Sequence, residues 1–180
     1  SRNLTCAPIL LETIKHLSQS GKWQWKIQFH PKMDAEIVEQ YKAIESEHLT
    51  FVETDNVIPL LQEADVMLCD TSSVLIMFLL QGKPVVAFNN ISPNSHLLNI
   101  SKPYQLESAL ESALSRPKSL MENIEKFINE THPKQDGQSA LRVLDAVDNM
   151  LNGKLVNTRK KPLNLIRELK LRRTLGYWGL

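Results

Sequence analysis

Ala64-Asp65-Val66-Met67-Leu68-Cys69-Asp70-Thr71-Ser72-Ser73-Val74, followed by Gly82-Lys83-Pro84-Val85-Val86-Ala87-Phe88, decides the fold class. It reads as strand, polar turn, helix, strand. Val66 to Cys69 is an apolar run of strand length, and Asp70 to Ser73 puts four small polar residues in a row. An apolar helix over 72–81 follows, stopped by Gly82 and succeeded by Pro84, with a strand over 84–88. A hydroxyl-rich turn that opens a buried helix aims free backbone N–H groups at one spot. The helix dipole adds positive potential there, which suits an anion, most naturally a phosphate. Taken alone, the simpler reading of Thr71 or Ser72 as a helix cap has the advantage.

A second stretch changes the balance. Trp23-Gln24-Trp25-Lys26-Ile27-Gln28-Phe29 alternates apolar and polar residues at the period of a strand, and His30-Pro31-Lys32 follows at its end. If the two strands share one parallel sheet, His30 and Asp70 to Ser73 emerge at the same carboxyl edge, where open α/β sheets bind ligands. An imidazole, a lysine and a helix N-terminus then converge on one anion.

Further along, helices are expected over 8–20 (Leu10, Ile14 and Leu17 on one face), about 34–45, 56–63 with Asn56 as its cap, 105–114 and 118–130. Leu49 to Glu53 reads as a short strand, and Asn89 to Pro103 as a loop rich in Asn, Ser and Pro. Asp136-Gly137 opens a helix with Ala140, Leu144, Val147 and Leu151 on one face, ended by Asn152-Gly153. A last, basic helix is expected over 162–174. Strands alternating with helices predict an α/β fold: a Rossmann-like, mostly parallel sheet with helices on both faces. A doubly wound domain usually begins with a strand in mid-sheet, and residues 1–7 are a poor candidate for it. The expectation is a domain over 1–152 that lacks this first strand and an upstream partner domain, with a basic tail over 153–180.

The length of 180 residues suffices for one such domain with a full core. No apolar run is long enough to span a bilayer, and there is no signal-peptide pattern. Cys6 and Cys69 are not a disulfide framework, so a reducing cytoplasm is the expected compartment. The net charge of +1 hides an asymmetry. Residues 1–150 carry 13 Lys and Arg against 19 Asp and Glu, a balance of −6, while residues 151–180 carry 8 against 1, a balance of +7. A tail so unlike the body has a different partner. Arg159-Lys160-Lys161, the leucines among Arg167, Lys170, Arg172 and Arg173, and the terminal Tyr177 and Trp178 suit an interfacial helix on an anionic membrane surface through residues 159–180. Packing of the same leucines onto protein is an equal alternative. No nucleic-acid partner is expected.

Five motifs in order carry a family resemblance: His30-Pro31 at a strand end, Glu63-Ala64-Asp65-Val66, Asp70-Thr71-Ser72-Ser73-Val74, Gly82-Lys83-Pro84-Val85-Val86, and Asp136-Gly137-Gln138-Ser139-Ala140-Leu141-Arg142-Val143. Together they resemble the C-terminal half of the CDP-glycerol glycerophosphotransferase family, the teichoic-acid-type polymerases and primases. The resemblance covers roughly residues 8–150. It implies a GT-B fold, two Rossmann-like domains with the active site between them, of which this is the half that holds the nucleotide donor, CDP-glycerol or a relative. It implies that His30 contacts the donor pyrophosphate, as the one catalytic residue of this half, and that Ser72 and Ser73 cradle its phosphates. Thr71 belongs to the same turn, and Lys32 joins the phosphate set on charge and position. The loop of Thr54, Asn56 and Val57 would lie near the base. No cofactor and no metal is implied. The helix opened by Asp136-Gly137 would end the domain and return toward the partner domain, which would bring the acceptor, lipid-linked or polysaccharide, and the catalytic base. The protein would be cytoplasmic, with peripheral attachment to the inner membrane face as the option that the tail opens.

One residue departs from the pattern. Met77 stands where the family commonly carries an acid positioned for donor hydroxyls. Two alternatives therefore stay open: a glycosyltransferase or UDP-sugar 2-epimerase-like domain of the same fold, and a non-catalytic module in polysaccharide assembly. Among the remaining residues, Asp70 serves either the turn or the ligand, and Asp65 solvates a turn. His16, His48, His96 and His132 read as surface residues without metal-ligand spacing. Trp23 and Trp25 read as core, and Asp136 as a helix cap.

Overall fold

Leu10, Ile14 and Leu17 form the buried stripe of α1 (Ala7–Gln19), as their spacing dictates. Pro8 stands in its first turn, where a missing N–H costs nothing. Gly21 follows at φ +67°, and a Cβ there would meet His48 Nε2 at 3.0 Å, so both the conformation and the space require glycine. The chain continues through β1 (Trp25–Ile27), α2 (Ala35–Lys42), β2 (Leu49–Phe51), α3 (Ile58–Glu63), β3 (Met67–Cys69), α4 (Val74–Leu79), β4 (Val85–Phe88) and β5 (Leu98–Ile100). A short 3₁₀ turn, Pro103–Gln105, leads into α5 (Leu106–Leu114) and α6 (Lys118–Thr131). This computed structural model describes residues 5–154 and 164–178.

All strand pairs are parallel, but they fall into two sheets rather than the single one expected: β1 with β2, and β3-β4-β5. β4 is the buried centre of the larger sheet, with Val85, Val86, Ala87 and Phe88 at 0–1% exposure. Successive residues of a strand face opposite sides. Val86 and Phe88 accordingly join a core with Leu10, Ile14, Tyr41 and Leu110 from α1, α2 and α5. Val85 and Ala87 join another with Leu61, Phe78, Leu79 and Ile124 from α3, α4 and α6. The β1 and β3 side chains Ile27 and Leu68 both lean on the first of these cores. The result is the expected α/β layering, a parallel sheet arrangement with helices on both faces.

Several boundaries contract. The alternation over 23–29 yields only Trp25–Ile27 as strand, and Trp23 and Trp25, expected in the core, are half-buried, with ring centroids 6.1 Å apart, edge to face. The helix expected over 72–81 is six residues long. The segment expected to be loop contains β5, paired to β4 through Val86–Leu98 and Phe88–Ile100. Leu98-Asn99-Ile100 is too short an alternation to stand out from its polar surroundings.

The chain divides at Pro133 into two compact units, Ser1–Pro133 and Lys134–Leu180, whereas the sequence pattern suggested a boundary near 152. The second unit contains α7 (Ser139–Leu151) and α8 (Leu165–Leu175). Asp136, expected as the cap, stands two residues before the N-cap Gln138 and makes a turn ahead of the helix instead: its Oδ1 accepts the Gln138 N–H at 3.1 Å, and its Oδ2 pairs with Arg142. That ion pair holds the Asp136 carboxyl below its usual range. The apolar stripe of α7 is exposed, with Leu144 at 59%. The run Arg159-Lys160-Lys161 lies outside the described residues. In α8 the apolar side chains do not gather on one face: Leu165 and Leu169 form one i, i+4 pair, Leu171 and Leu175 another, and Glu168 and Arg172 fall between them.

Candidate functional site at the carboxyl ends of β1 and β3

A chain of contacts ties the ends of two strands together. The ring of Phe29, just beyond β1, meets Tyr41 edge to face at 4.9 Å. The Tyr41 hydroxyl donates to the Ala7 carbonyl at 2.7 Å, at the start of α1. The adjacent Cys6 N–H donates to Asp70 Oδ2 at 3.3 Å, at the end of β3. The other end of α1 lies near the beginnings of β1 and β2, where Gly21 adjoins His48 and the Trp25 N–H donates to the His48 carbonyl at 2.8 Å. Helix α1 thus runs back from the carboxyl edge to the amino edge, and the carboxyl ends of β1 and β3 lie on the same side of the unit. Among the described residues β1 pairs with β2, and β3 with β4, in two separate parallel sheets, and open α/β sheets bind ligands at the carboxyl ends of their strands.

His30 and Lys32 stand on the β1 side of this edge. Pro31 occupies the second position of a turn closed by the Met33 N–H donating to the His30 carbonyl at 2.8 Å. The Lys32 backbone N–H donates to His30 Nδ1 at 3.0 Å. In the neutral ring the proton therefore sits on Nε2 and is free to donate outward. His30 and Lys32 are both exposed, and the Lys32 ammonium has no partner among the described residues.

Asp70 to Ser73 form the β3 side. Ser72 Oγ accepts the Val74 N–H at 3.3 Å, so this hydroxyl does cap the turn. The exposed hydroxyls of Thr71 and Ser73 have no hydrogen-bond partner among the described residues. Helix α4 is too short for a strong dipole, so hydroxyls and first-turn N–H groups supply most of what the turn offers an anion. Met77 is 41% exposed rather than built into the core.

The third predicted group, after β2, is a self-bonded turn. Thr54 Oγ1 accepts the Asn56 N–H at 3.1 Å and donates to the Asn56 carbonyl at 3.2 Å. Asn56 Oδ1 takes the Ile58 N–H at 3.2 Å, at the start of α3, and Val57 is half-buried beside it. Two shallow depressions, about 440 and 250 Å³, are lined by none of the predicted residues, although Pro8 and Asp34, beside the start of α1 and the turn after β1, line the smaller one.

Sequence reasoning missed Asn90. Its Nδ2 donates to the Asp70 carbonyl at 3.2 Å, and its backbone N–H donates to Asn99 Oδ1 at 3.0 Å, which brings the end of β4 to the same edge. The Asn-rich composition offered only a loop signal there. It also missed Lys83, whose Nζ caps α3 by donating to the carbonyls of Leu61, Gln62 and Ala64 at 3.0, 2.6 and 2.8 Å. Two histidines expected at the surface are half-buried: His48 Nδ1 bonds Gln24 Nε2 at 2.9 Å, and His96 stacks on Phe127 with centroids 4.2 Å apart. Burial and the nearby Asp70 carboxylate push the thiols of Cys6 and Cys69 up to about 12, so neither is a nucleophile at neutral pH.

A structure described as that of a UDP-N-acetylglucosamine 2-epimerase from Listeria monocytogenes superposes with a TM-score of 0.58 over 80% of this chain, at 17% identity. The chain has a GT-B-like, Rossmann-like half-domain fold. The chain covers 41% of that neighbour's length. The sequence matches no protein-family profile and no curated protein, so the glycerophosphotransferase resemblance rests on the quoted motifs. At this identity the likeness speaks for the fold. The carboxyl ends of β1 and β3 are accordingly read from their own chemistry: exposed N–H and O–H donors and, among the described residues, an unpaired Lys32 ammonium.

Proposed function

We propose that the first unit is the donor-binding half of a transferase that uses a nucleotide-activated substrate, CDP-glycerol in the reading that the motifs favour. The observation that supports it is the series of contacts, Phe29 to Tyr41, Tyr41 to Ala7 and Cys6 to Asp70, that runs from the end of β1 to the end of β3. A diphosphate bound there takes the outward Nε2–H of His30, the Lys32 ammonium and the Thr71 and Ser73 hydroxyls. As the acceptor hydroxyl attacks the β-phosphorus, the bond to the bridging oxygen breaks and CMP leaves with the extra negative charge. Donors already in place around that charge are the largest contribution such a site makes. The acceptor and the base that deprotonates it belong to a partner domain in this reading, so the unit alone binds donor without turnover.

The epimerase neighbour favours one alternative, a UDP-sugar donor on the same edge. Calorimetric titration of the chain with CDP-glycerol and with UDP-N-acetylglucosamine decides between them. Tighter binding of the cytidine compound is expected. Tighter binding of the uridine compound moves the assignment to the sugar-nucleotide enzymes. Binding of neither, even at millimolar concentration, rejects the donor role.

A further inference from the structure

We propose, resting on the reading of His30 as a diphosphate contact, that Tyr41 is the positioning residue for that imidazole: a buried ring on α2 that, through Phe29, fixes the direction in which His30 leaves the end of β1. β1 stops at Ile27, whose carbonyl takes the Val52 N–H at 2.8 Å, just past β2. From Gln28 onward the hydrogen bonds turn inward. Gln28 Nε2 donates to the Phe29 carbonyl at 2.7 Å, the Met33 N–H to the His30 carbonyl at 2.8 Å, and the Lys32 N–H to His30 Nδ1 at 3.0 Å. Among the described residues, no hydrogen bond joins Gln28–Lys32 to another element. Pro31 and these local bonds make the turn stiff in itself, but they do not set where it points.

The ring of Phe29 sets that. It sits between two others, Tyr41 edge to face with centroids 4.9 Å apart and Phe51 at 5.7 Å. Phe29 and Phe51 are half-buried, whereas Tyr41 is 1% exposed. Tyr41 is also held at its far end, where the hydroxyl donates to the Ala7 carbonyl at 2.7 Å. A phenylalanine would fill the same space with no buried hydroxyl to satisfy, so what tyrosine adds is the anchor. A ring fastened at both ends cannot tilt or slide as a free phenyl ring can. The surface it shows Phe29 is fixed, and with it the seat of the residue before His30. Because the turn is stiff, any shift of that seat is carried whole to Nε2. Polar contacts to a reacting group tolerate little displacement of this kind.

A double-mutant cycle on the chain of 180 residues tests this, with CDP as the probe and affinity as the readout. Tyr41→Phe keeps the ring and frees its far end. It should weaken CDP by at least about fivefold in the parent, and by less than about twofold when His30 is already alanine, because the effect passes through the imidazole. A role in stability alone gives the same factor in both backgrounds. That result, or an affinity unchanged by Tyr41→Phe, overturns the proposal. Backbone amide NMR relaxation of the ligand-free chain is the second arm. The order parameters of His30, Lys32 and Met33 should fall below the rigid value of roughly 0.85 in Tyr41→Phe, while those of β4 stay there. A turn as rigid as the parent's overturns the proposal as well. If CDP does not bind the parent, the diphosphate reading fails and the relaxation arm alone decides on Tyr41. The same arm decides if the alanine background binds too weakly to compare. Should Tyr41→Phe fail to fold, Phe29→Leu takes the ring off the pivot and replaces it in both arms, with the same outcomes.

Discussion

The carboxylate of Asp70 accepts the backbone N–H of Cys6 at 3.3 Å, across 64 residues of sequence. A residue of the candidate turn thereby fastens the N-cap residue of the first helix, and its carbonyl receives Asn90 from the end of β4. Asp70 belongs to the scaffold of the edge, and its neighbours Thr71 and Ser73 remain free for a ligand.

Removing the carboxylate leaves the Cys6 N–H without its acceptor. Asp70→Ala should lower unfolding stability by about 0.5–2 kcal/mol, while Asp70→Asn, which keeps an acceptor, should cost about half as much or less. Urea denaturation of the three chains checks this. Equal losses for both variants would mean that the charge matters rather than the bond.

What could be read from the sequence was local. The run Val66–Cys69, the Asp70–Ser73 turn, the stop at Gly82 and the stripe Leu10-Ile14-Leu17 each carry their signal within a few residues. The two-sheet division did not show, because pairing is decided by which edges meet in space. β5 hid in polar composition, since three residues give no countable period. Asn90 and Lys83 act through partners about 20 residues away, at Asp70 and at the end of α3, and no local pattern reports that. His30 and Lys32 were legible as an exposed pair at a strand end, and the turn that frees Nε2 follows from Pro31.

Stability should depend on pH through His96. Burial against Phe127 holds its pKa below the ordinary value, with Glu130 opposing in part. The unfolded chain then binds the proton more readily. The contribution is fully present above the ordinary value of 6.5 and is lost as the pH falls through the lower folded value. His96→Phe keeps a ring on Phe127 and removes the proton. Its urea midpoint should fall less than the parent's between about pH 7.5 and pH 5. Parallel curves would remove His96 as the cause.

Met77→Asp should fold. The side chain is 41% exposed, so the change in thermal unfolding should stay within about 1 kcal/mol. A carboxylate at this position supplies the group that the resemblance places against donor hydroxyls, and CDP-glycerol should bind more tightly. An unfolded variant would show the position to be core, and weaker binding would place it against the donor phosphates.

The basic tail should hold the protein on anionic lipid by charge rather than by insertion. Residues 151–180 carry 8 Lys and Arg against 1 Glu, and the apolar residues of α8 are spread over two faces. Each basic residue near such a surface contributes about 1 kcal/mol. Sedimentation with phosphatidylglycerol vesicles should show binding that fades with salt and disappears on deletion of residues 159–180. Salt-independent binding would indicate insertion of the leucines, and indifference to lipid charge would point to a protein partner.

The central claim is that the nucleotide sits where β1 and β3 end. Amide shifts on titration with CDP test it most directly, with His30→Ala run beside the parent. The account predicts the largest shifts at His30–Lys32 and Asp70–Val74, smaller ones at Thr54–Val57, and affinity weakened by about 1–3 kcal/mol in the variant. Shifts confined to other surfaces, or a His30→Ala titration indistinguishable from the parent's, would contradict it.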